Sequence, residues 1–309
     1  MTMEVTEKRL LVAGDIMLDR YWFGEVNRIS PEAPVPVVRV GKKEDRLGGA
    51  ANVAVNAAAL GVKVALIGVV GDDEAASTIE DLLIKKQINA KLSHDPSIST
   101  IIKLRVIGRQ QQLVRIDFEE PPSETVLQTK LTAFTSEVTN ADLVILSDYA
   151  KGSLTNVRDM ISVAREAGKP VLVDPKGTDF ERYTGATILT PNKSELRQVI
   201  GDWRTEAELT EKAQNLRASL NLGGLLLTRS EEGMSLFTED AILHIPAMAR
   251  EVYDVSGAGD TVIATLAVML MQGKSLPESV MIANRAGGIV VGKLGTATVS
   301  REELFASST

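Results

Sequence analysis

Six short runs of β-branched or leucine-rich residues recur along the chain, at 10–13, 64–69, 143–146, 171–173, 188–189 and 225–228. Between several of them lie patterns of helical periodicity, at 74–86, 125–138, 156–167 and 206–220. Buried strands alternating with helices predict an α/β fold, with a mostly parallel sheet covered on both faces. Ligands of such sheets sit beyond the C-terminal ends of the strands. Asp15, Asp148, Asp174 and Asn192 each fall just past an apolar run, and so are expected there.

Two stretches break the alternation. Pro34 and Pro36 in the run 34–40 predict an edge strand, because proline has no N–H to donate to an interior ladder. Residues 100–106 and 112–118, separated by Gly108-Arg109-Gln110-Gln111, predict a hairpin, which is also what a plain surface hairpin looks like. No repeat, low-complexity tract or linker divides the 309 residues, a length that one continuous α/β core accommodates.

Composition excludes several classes of function. A net charge of -7 with no basic stripe argues against a nucleic-acid partner, so anionic ligands must be held by local donors. With no cysteine there is no disulfide, thiolate catalysis or cysteine metal site. His94 and His244 lie far apart and are read as structural. The charged stretch 1–9 has no leader character, and the longest apolar run, 262–271, is too short to span a bilayer. A cytoplasmic protein without membrane contact is expected.

Chemistry is concentrated in two glycine-bearing turns. Val255-Ser256-Gly257-Ala258-Gly259-Asp260-Thr261 leads directly into that apolar run. Glycines let backbone N–H groups converge and the following helix adds its positive end, so Gly257, Ala258 and Gly259 form a candidate anion hole. A carboxylate there, Asp260, is opposed by the anion it faces unless it takes a proton from a nucleophile attacking that anion. The alternative is a capped helix start with no ligand. The second turn, Leu47-Gly48-Gly49-Ala50-Ala51-Asn52, opens an alanine-rich helix that runs to Leu60 and stops at Gly61. Paired glycines admit a ligand close to the backbone, and Asn52 can donate to and accept from hydroxyls; close helix packing selects the same residues.

Together the two turns resemble the signatures of the ribokinase-like (PfkB) carbohydrate kinases, over nearly the whole chain. Four further stretches are similar to one branch of that family, the D-glycero-β-D-manno-heptose-7-phosphate kinases of bacterial lipopolysaccharide synthesis. They are Asp15-Ile16-Met17-Leu18-Asp19-Arg20-Tyr21-Trp22, Arg28 to Val37, Ser147-Asp148-Tyr149-Ala150-Lys151-Gly152 and Asp174-Pro175-Lys176-Gly177-Thr178-Asp179-Phe180.

The resemblance implies a single domain over 1–309. Its three-layer core would carry a small β lid drawn from about 16–45 and 98–119, which supplies a homodimer contact. The implied reaction is transfer from MgATP to O1 of the heptose 7-phosphate, with Asp260 as base. Asn192 and Glu195 match an Asn-x-x-Glu pattern that holds ATP phosphates and the waters of Mg²⁺; the same spacing also suits a helix cap. With Lys193, Ser194, Arg229, Gly257, Gly259 and Asn284 they make up the implied ATP site, with no direct protein ligand to the metal. Asp15, Gly48, Gly49 and Asn52 join Asp260 as the implied sugar clamp, and Asp19 is a second candidate. Lys103, Arg105, Lys151 and Lys176 are the cations available to a 7-phosphate, each equally suited to a solvated surface role. A monovalent-cation site at Asp254, Ser256 and the carbonyls around Gly295 is left open. So are the anomer preferred and whether the chain is a stand-alone kinase or half of a bifunctional protein.

Rival readings fit less well. Gly273-Lys274-Ser275 resembles the end of a P-loop, but Val268 stands where that motif needs glycine. The spaced glycines of a dinucleotide-binding fold do not follow Gly14. Another ribokinase-like sugar or nucleoside kinase, and a non-catalytic sugar binder on the same fold, remain as alternatives.

Overall fold

The computed structural model describes residues 7–109, 111–248 and 252–306. Its strands are β1 (Arg9–Gly14), β2 (Ile16–Ile29), β3 (Pro36–Gly49), β4 (Lys63–Val70), β5 (Asn89–His94), β6 (Ile102–Gly108), β7 (Gln111–Phe118), β8 (Leu143–Ser147), β9 (Val171–Asp174), β10 (Ile188–Leu189), β11 (Gly224–Thr228), β12 (Met234–Thr238) and β13 (Ile242–Ile245). Its α-helices are α1 (Ala50–Ala59), α2 (Glu74–Lys85), α3 (Glu124–Val138), α4 (Val157–Glu166), α5 (Lys193–Ile200), α6 (Glu206–Ser219), α7 (Ala258–Met271), α8 (Leu276–Val290) and α9 (Arg301–Phe305).

Nine strands form one sheet in the order β13-β12-β11-β10-β9-β8-β1-β4-β5, all running one way except β12, which pairs antiparallel with both β11 and β13. Each of the six apolar runs is a strand of this sheet. Side chains leave a strand alternately to its two faces, so a run apolar throughout feeds two cores. Leu10 and Val12 of β1 join one core with α1, α2, α7 and α8, while Leu11 and Ala13 join the other with α3 to α6. Helix α7 is buried along nearly its whole length, as its unbroken apolar sequence requires.

A second sheet of four strands, ordered β3-β2-β6-β7, is continuous in sequence with the first. Strand β1 ends at Gly14, the chain passes through Asp15, and β2 begins at Ile16. Strand β3 is the edge expected from its prolines. The pair β6 and β7 is not a lone surface hairpin: β6 runs parallel to β2, with Asp19 opposite Lys103 and Tyr21 opposite Arg105. Gly273 to Ser275 ends α7 and starts α8, where Ser275 and Glu278 form a capping box, so the P-loop likeness was a helix boundary. His94 contacts Glu80 and His244 contacts Ser235.

Candidate active site

Asp260 lies in the first turn of α7, buried to 2% exposure, with both carboxylate oxygens occupied. Asn52 Nδ2 donates to Oδ2 at 2.7 Å and the Tyr149 hydroxyl donates to Oδ1 at 2.8 Å. Burial pushes this carboxyl up to about 6, against the lowering effect of those two hydrogen bonds. A carboxylate so placed is ionised near neutral pH yet ready to take a proton.

The backbone around it is set by glycine. Gly257, the cap of α7, has φ 74, and a Cβ there would come within 2.7 Å of Asn52 Nδ2. Any side chain at 257 would therefore push on the residue that holds Asp260. Of the expected anion hole, the Ala258 N–H is turned back onto the Val255 carbonyl at 3.2 Å. The first-turn amides that follow it, at Gly259 and Asp260, are the ones the helix start can offer to a ligand.

The Gly48-Gly49 pair serves another close approach than that of a ligand. Gly49 has φ 58, and its Cβ would stand 2.3 Å from the Asp15 carbonyl oxygen; a Cβ on Gly48 would stand 2.5 Å from Asp19 Oδ2. Asp15 and Asp19, both candidates for the sugar, lie in different surroundings. Asp15 is buried and accepts the N–H groups of Tyr149 (2.8 Å), Lys151 (3.1 Å) and Ser153 (2.9 Å), so its carboxylate ties down a loop. That follows from its place in the step between the two sheets, next to the C-terminal end of β8. Asp19 lies on β2 in an ion pair with Arg105, and its charge acts on Asp260.

A cavity of about 530 Å³ opens beside Gly259. Its polar end carries Asp174, Lys176, Thr190, Asn192 and Glu195, and its apolar end is walled by Met234, Val255, Val262 and Gly287. Asp174, expected from the sequence at the ligand end of the sheet, is pushed well above the ordinary carboxylate range by burial and by the charges of Asp260 and Glu195. Asn192 and Glu195 form a full capping box: Asn192 Oδ1 accepts from Glu195 N–H at 3.0 Å and Glu195 Oε2 from Asn192 N–H at 2.9 Å. Asn284 of α8 borders the cavity and donates to the Pro246 carbonyl at 2.8 Å.

Several expected residues fall elsewhere. Lys176, read as a sugar-phosphate cation, pairs with Glu195 at 2.7 Å and so belongs to the cavity's polar end. Lys193, Ser194 and Arg229 line an adjoining hollow of about 650 Å³ instead of the cavity itself. Arg229 is engaged by Glu206 and Glu232, and Lys193 also by Glu232, so these cations brace the turn after β11. Lys151 pairs with Glu119 at 2.6 Å. Lys103 remains near enough for its charge to act on Asp260, with its Nζ 5.3 Å from the centre of the Tyr149 ring, while Arg105 lies over the Tyr21 ring. Asp254 accepts from the N–H groups of Ser256 and Gly295, both at 2.9 Å, which brings the two expected cation-site segments into contact. Tyr149 was missed as a site residue, because nothing local shows that its hydroxyl reaches a carboxylate 111 residues away.

The sequence profile of the pfkB family carbohydrate kinases matches residues 7–303. Over 305 residues, 99% of this chain and 97% of the relative, it is 56% identical to a D-beta-D-heptose 7-phosphate kinase of Bordetella bronchiseptica. It is 55% identical over 297 residues to the bifunctional protein HldE of Methylococcus capsulatus, covering 96% of this chain but 63% of that protein. Among solved structures, Arabidopsis thaliana ribokinase complexed with ribose and ATP superposes with a TM-score of 0.76 at 21% identity, covering 97% of this chain and 98% of that one. Escherichia coli phosphofructokinase-2 in its tetrameric inhibited form gives 0.81 at 18% identity, covering 97% of each chain. Both show a shared ribokinase-like α/β fold. With its large parallel sheet, its small second sheet and its buried Asp260 at a Gly-Ala-Gly-Asp helix start, the chain belongs to the pfkB family of carbohydrate kinases.

Proposed function

We propose that this kinase transfers the γ-phosphoryl group of ATP to O1 of D-glycero-β-D-manno-heptose 7-phosphate, giving the 1,7-bisphosphate that feeds lipopolysaccharide core synthesis. The observation that carries the reading is the 56% identity to the Bordetella heptose phosphate kinase over 99% of this chain, joined to a site built for the chemistry. The acceptor hydroxyl gives its proton to Asp260 as its oxygen bonds to the γ-phosphorus. The bond from that phosphorus to the β–γ bridging oxygen breaks, and ADP leaves with the electron pair. The amides at the start of α7 face the charge that builds on the moving phosphoryl group.

The phosphates fit the polar end of the cavity and the adenine its apolar end, which Gly287 of α8 borders. Mg²⁺ is a hard cation that keeps water and phosphate ligands. In this reading the metal is carried in with ATP. Asp174 and Glu195 are the carboxylates for its water shell, and bound there it supplies charge neutralisation. Both oxygens of Asp254 are engaged by N–H groups, so a monovalent cation beside it would be met mainly by carbonyls.

The small sheet acts as a lid over the sugar, with Asp19 binding its hydroxyls and Lys103 and Arg105 reaching the 7-phosphate. Its strand β7 exposes Leu113, Val114, Ile116 and Phe118 by 39 to 46%, an apolar surface that supports pairing with a second copy in a homodimer. No helix among the described residues is long and apolar enough to cross a membrane, and a donor of ATP suits a cytoplasmic enzyme. Phosphorus NMR of the product should show a new anomeric phosphate. Equal or better turnover of ribose, fructose 6-phosphate or adenosine would overturn the substrate assignment.

A further inference from the structure

Both carboxylate oxygens of Asp260 are held by protein donors. The Tyr149 hydroxyl sits on Oδ1 at 2.8 Å, at hydrogen-bond distance, as an acceptor hydroxyl would have to sit to give up its proton. Asn52 holds the other oxygen from α1, so a sugar hydroxyl that takes the place on Oδ1 must replace or share with the phenol. The phenol is itself kept neutral, since burial and the neighbouring charges of Asp260 and Asp174 push its ionisation well above the usual tyrosine range. It donates and cannot serve as a base.

The backbone beneath Tyr149 is fixed. Three N–H groups of its loop bind the Asp15 carboxylate, and the buried ammonium of Lys130 donates to the Ser153 carbonyl from below. Movement is therefore left to the side chain. Its ring is held on one face by Lys103 Nζ, a cation on the small sheet that makes no ion pair among the described residues. An anionic sugar drawing Lys103 to itself would withdraw that cation–π contact at the moment the hydroxyl arrives.

We propose that Tyr149 is a positioning residue that occupies the acceptor's place on Asp260 until a sugar phosphate displaces it, and so keeps Asp260 from activating water against ATP. The inference rests on Asp260 as the base. The side reaction it suppresses is simple hydrolysis: a water oxygen bonds to the γ-phosphorus, its proton goes to Asp260, and ADP leaves with the bridging oxygen and its electron pair.

The test measures ADP release from MgATP without sugar, and ADP formed per sugar phosphate with it, for the wild type, Tyr149→Phe and Tyr149→Ala. Loss of one charged hydrogen bond corresponds to roughly a tenfold effect, so sugar-independent hydrolysis should rise by about that factor in Tyr149→Phe, and more in Tyr149→Ala. The acid limb of kcat/KM should also move up by about one pH unit in Tyr149→Phe, because a bond favouring the ionised base is gone. The other groups facing Asp260, namely Asp19 on β2, Lys103 on β6 and Asp174 on β9, are unchanged in that variant. Hydrolysis at the wild-type rate in a folded Tyr149→Phe overturns the proposal, even if sugar turnover falls, since a purely structural role lowers turnover without uncoupling it. If Tyr149→Ala does not fold, the Phe variant alone decides. Failure of the underlying reading shows separately, as an Asp260→Asn enzyme that still phosphorylates sugar at the normal rate.

Discussion

Met234, Val255, Val262 and Gly287 give the end of the cleft proposed for the nucleotide an apolar wall on the large sheet and its helices. The end proposed for the sugar, under the small sheet, is crowded with charges that already answer one another: Arg105 with Asp19, Lys151 with Glu119, and Lys103 over Tyr149. A preformed apolar slot binds by shape and needs little rearrangement. A neutralised charge network instead has to exchange partners when a charged sugar enters, so it selects for a ligand that can replace each contact broken. On this contrast, changes at the nucleotide end should alter affinity for ATP alone, and changes at the sugar end should alter specificity and coupling.

The sharpest break would come at the point where the ends meet. Replacing Asp260 by Asn keeps size and one acceptor oxygen but removes the base, and turnover should fall by roughly two to four orders of magnitude with ATP binding intact. In the wild type, activity should rise with pH through about 6 as the base loses its proton. Stability runs the other way. Burial raises this carboxyl from 3.8 to about 6, so the protonated form suits the fold and its contribution is lost as pH rises between those values. Asp260→Asn should accordingly melt higher than the wild type at pH 8, by the equivalent of about 2 to 3 kcal/mol, with the gap closing below pH 3.8. Thermal melts across pH check this, and a gap that widens in acid would refute it.

Gly257→Ala should follow in size. Its positive φ and the 2.7 Å approach to Asn52 Nδ2 combine strain with a shifted base, so kcat should drop by about ten- to a hundredfold while the enzyme stays folded. Steady-state kinetics with a circular dichroism control would show it; unchanged kcat would mean that Asn52 does not need its present position.

Arg105→Ala probes the sugar end alone. It should weaken sugar-phosphate binding by about 1 to 3 kcal/mol and leave ATP affinity unchanged, as read by titration calorimetry with each ligand. Loss of ATP affinity instead would erase the division between the ends. Lys151→Ala should do least, within about 1 kcal/mol for either ligand, because its pair with Glu119 is partly exposed and screened. A larger loss of sugar-phosphate affinity would place Lys151 in the phosphate site.

What the sequence determined by itself is whatever neighbouring residues decide. The doubly covered parallel sheet was legible because unbroken apolar runs admit no wet face, and Asp260 because glycine turn, carboxylate and apolar helix follow one another within a few residues. The capping box of Asn192 and Glu195 was legible from its spacing alone. Tertiary structure decided what depends on where the chain goes next. Asp15 and Asp19 are four residues apart and chemically identical, yet the step from β1 into β2 turns one onto a backbone loop and leaves the other beside Arg105. Lys176 came to line the cavity beside Gly259 because Glu195, on a different element, holds its ammonium. Tyr149 reached Asp260 because the ends of parallel strands bring together loops more than a hundred residues apart, and no local pattern records which side chains will meet there.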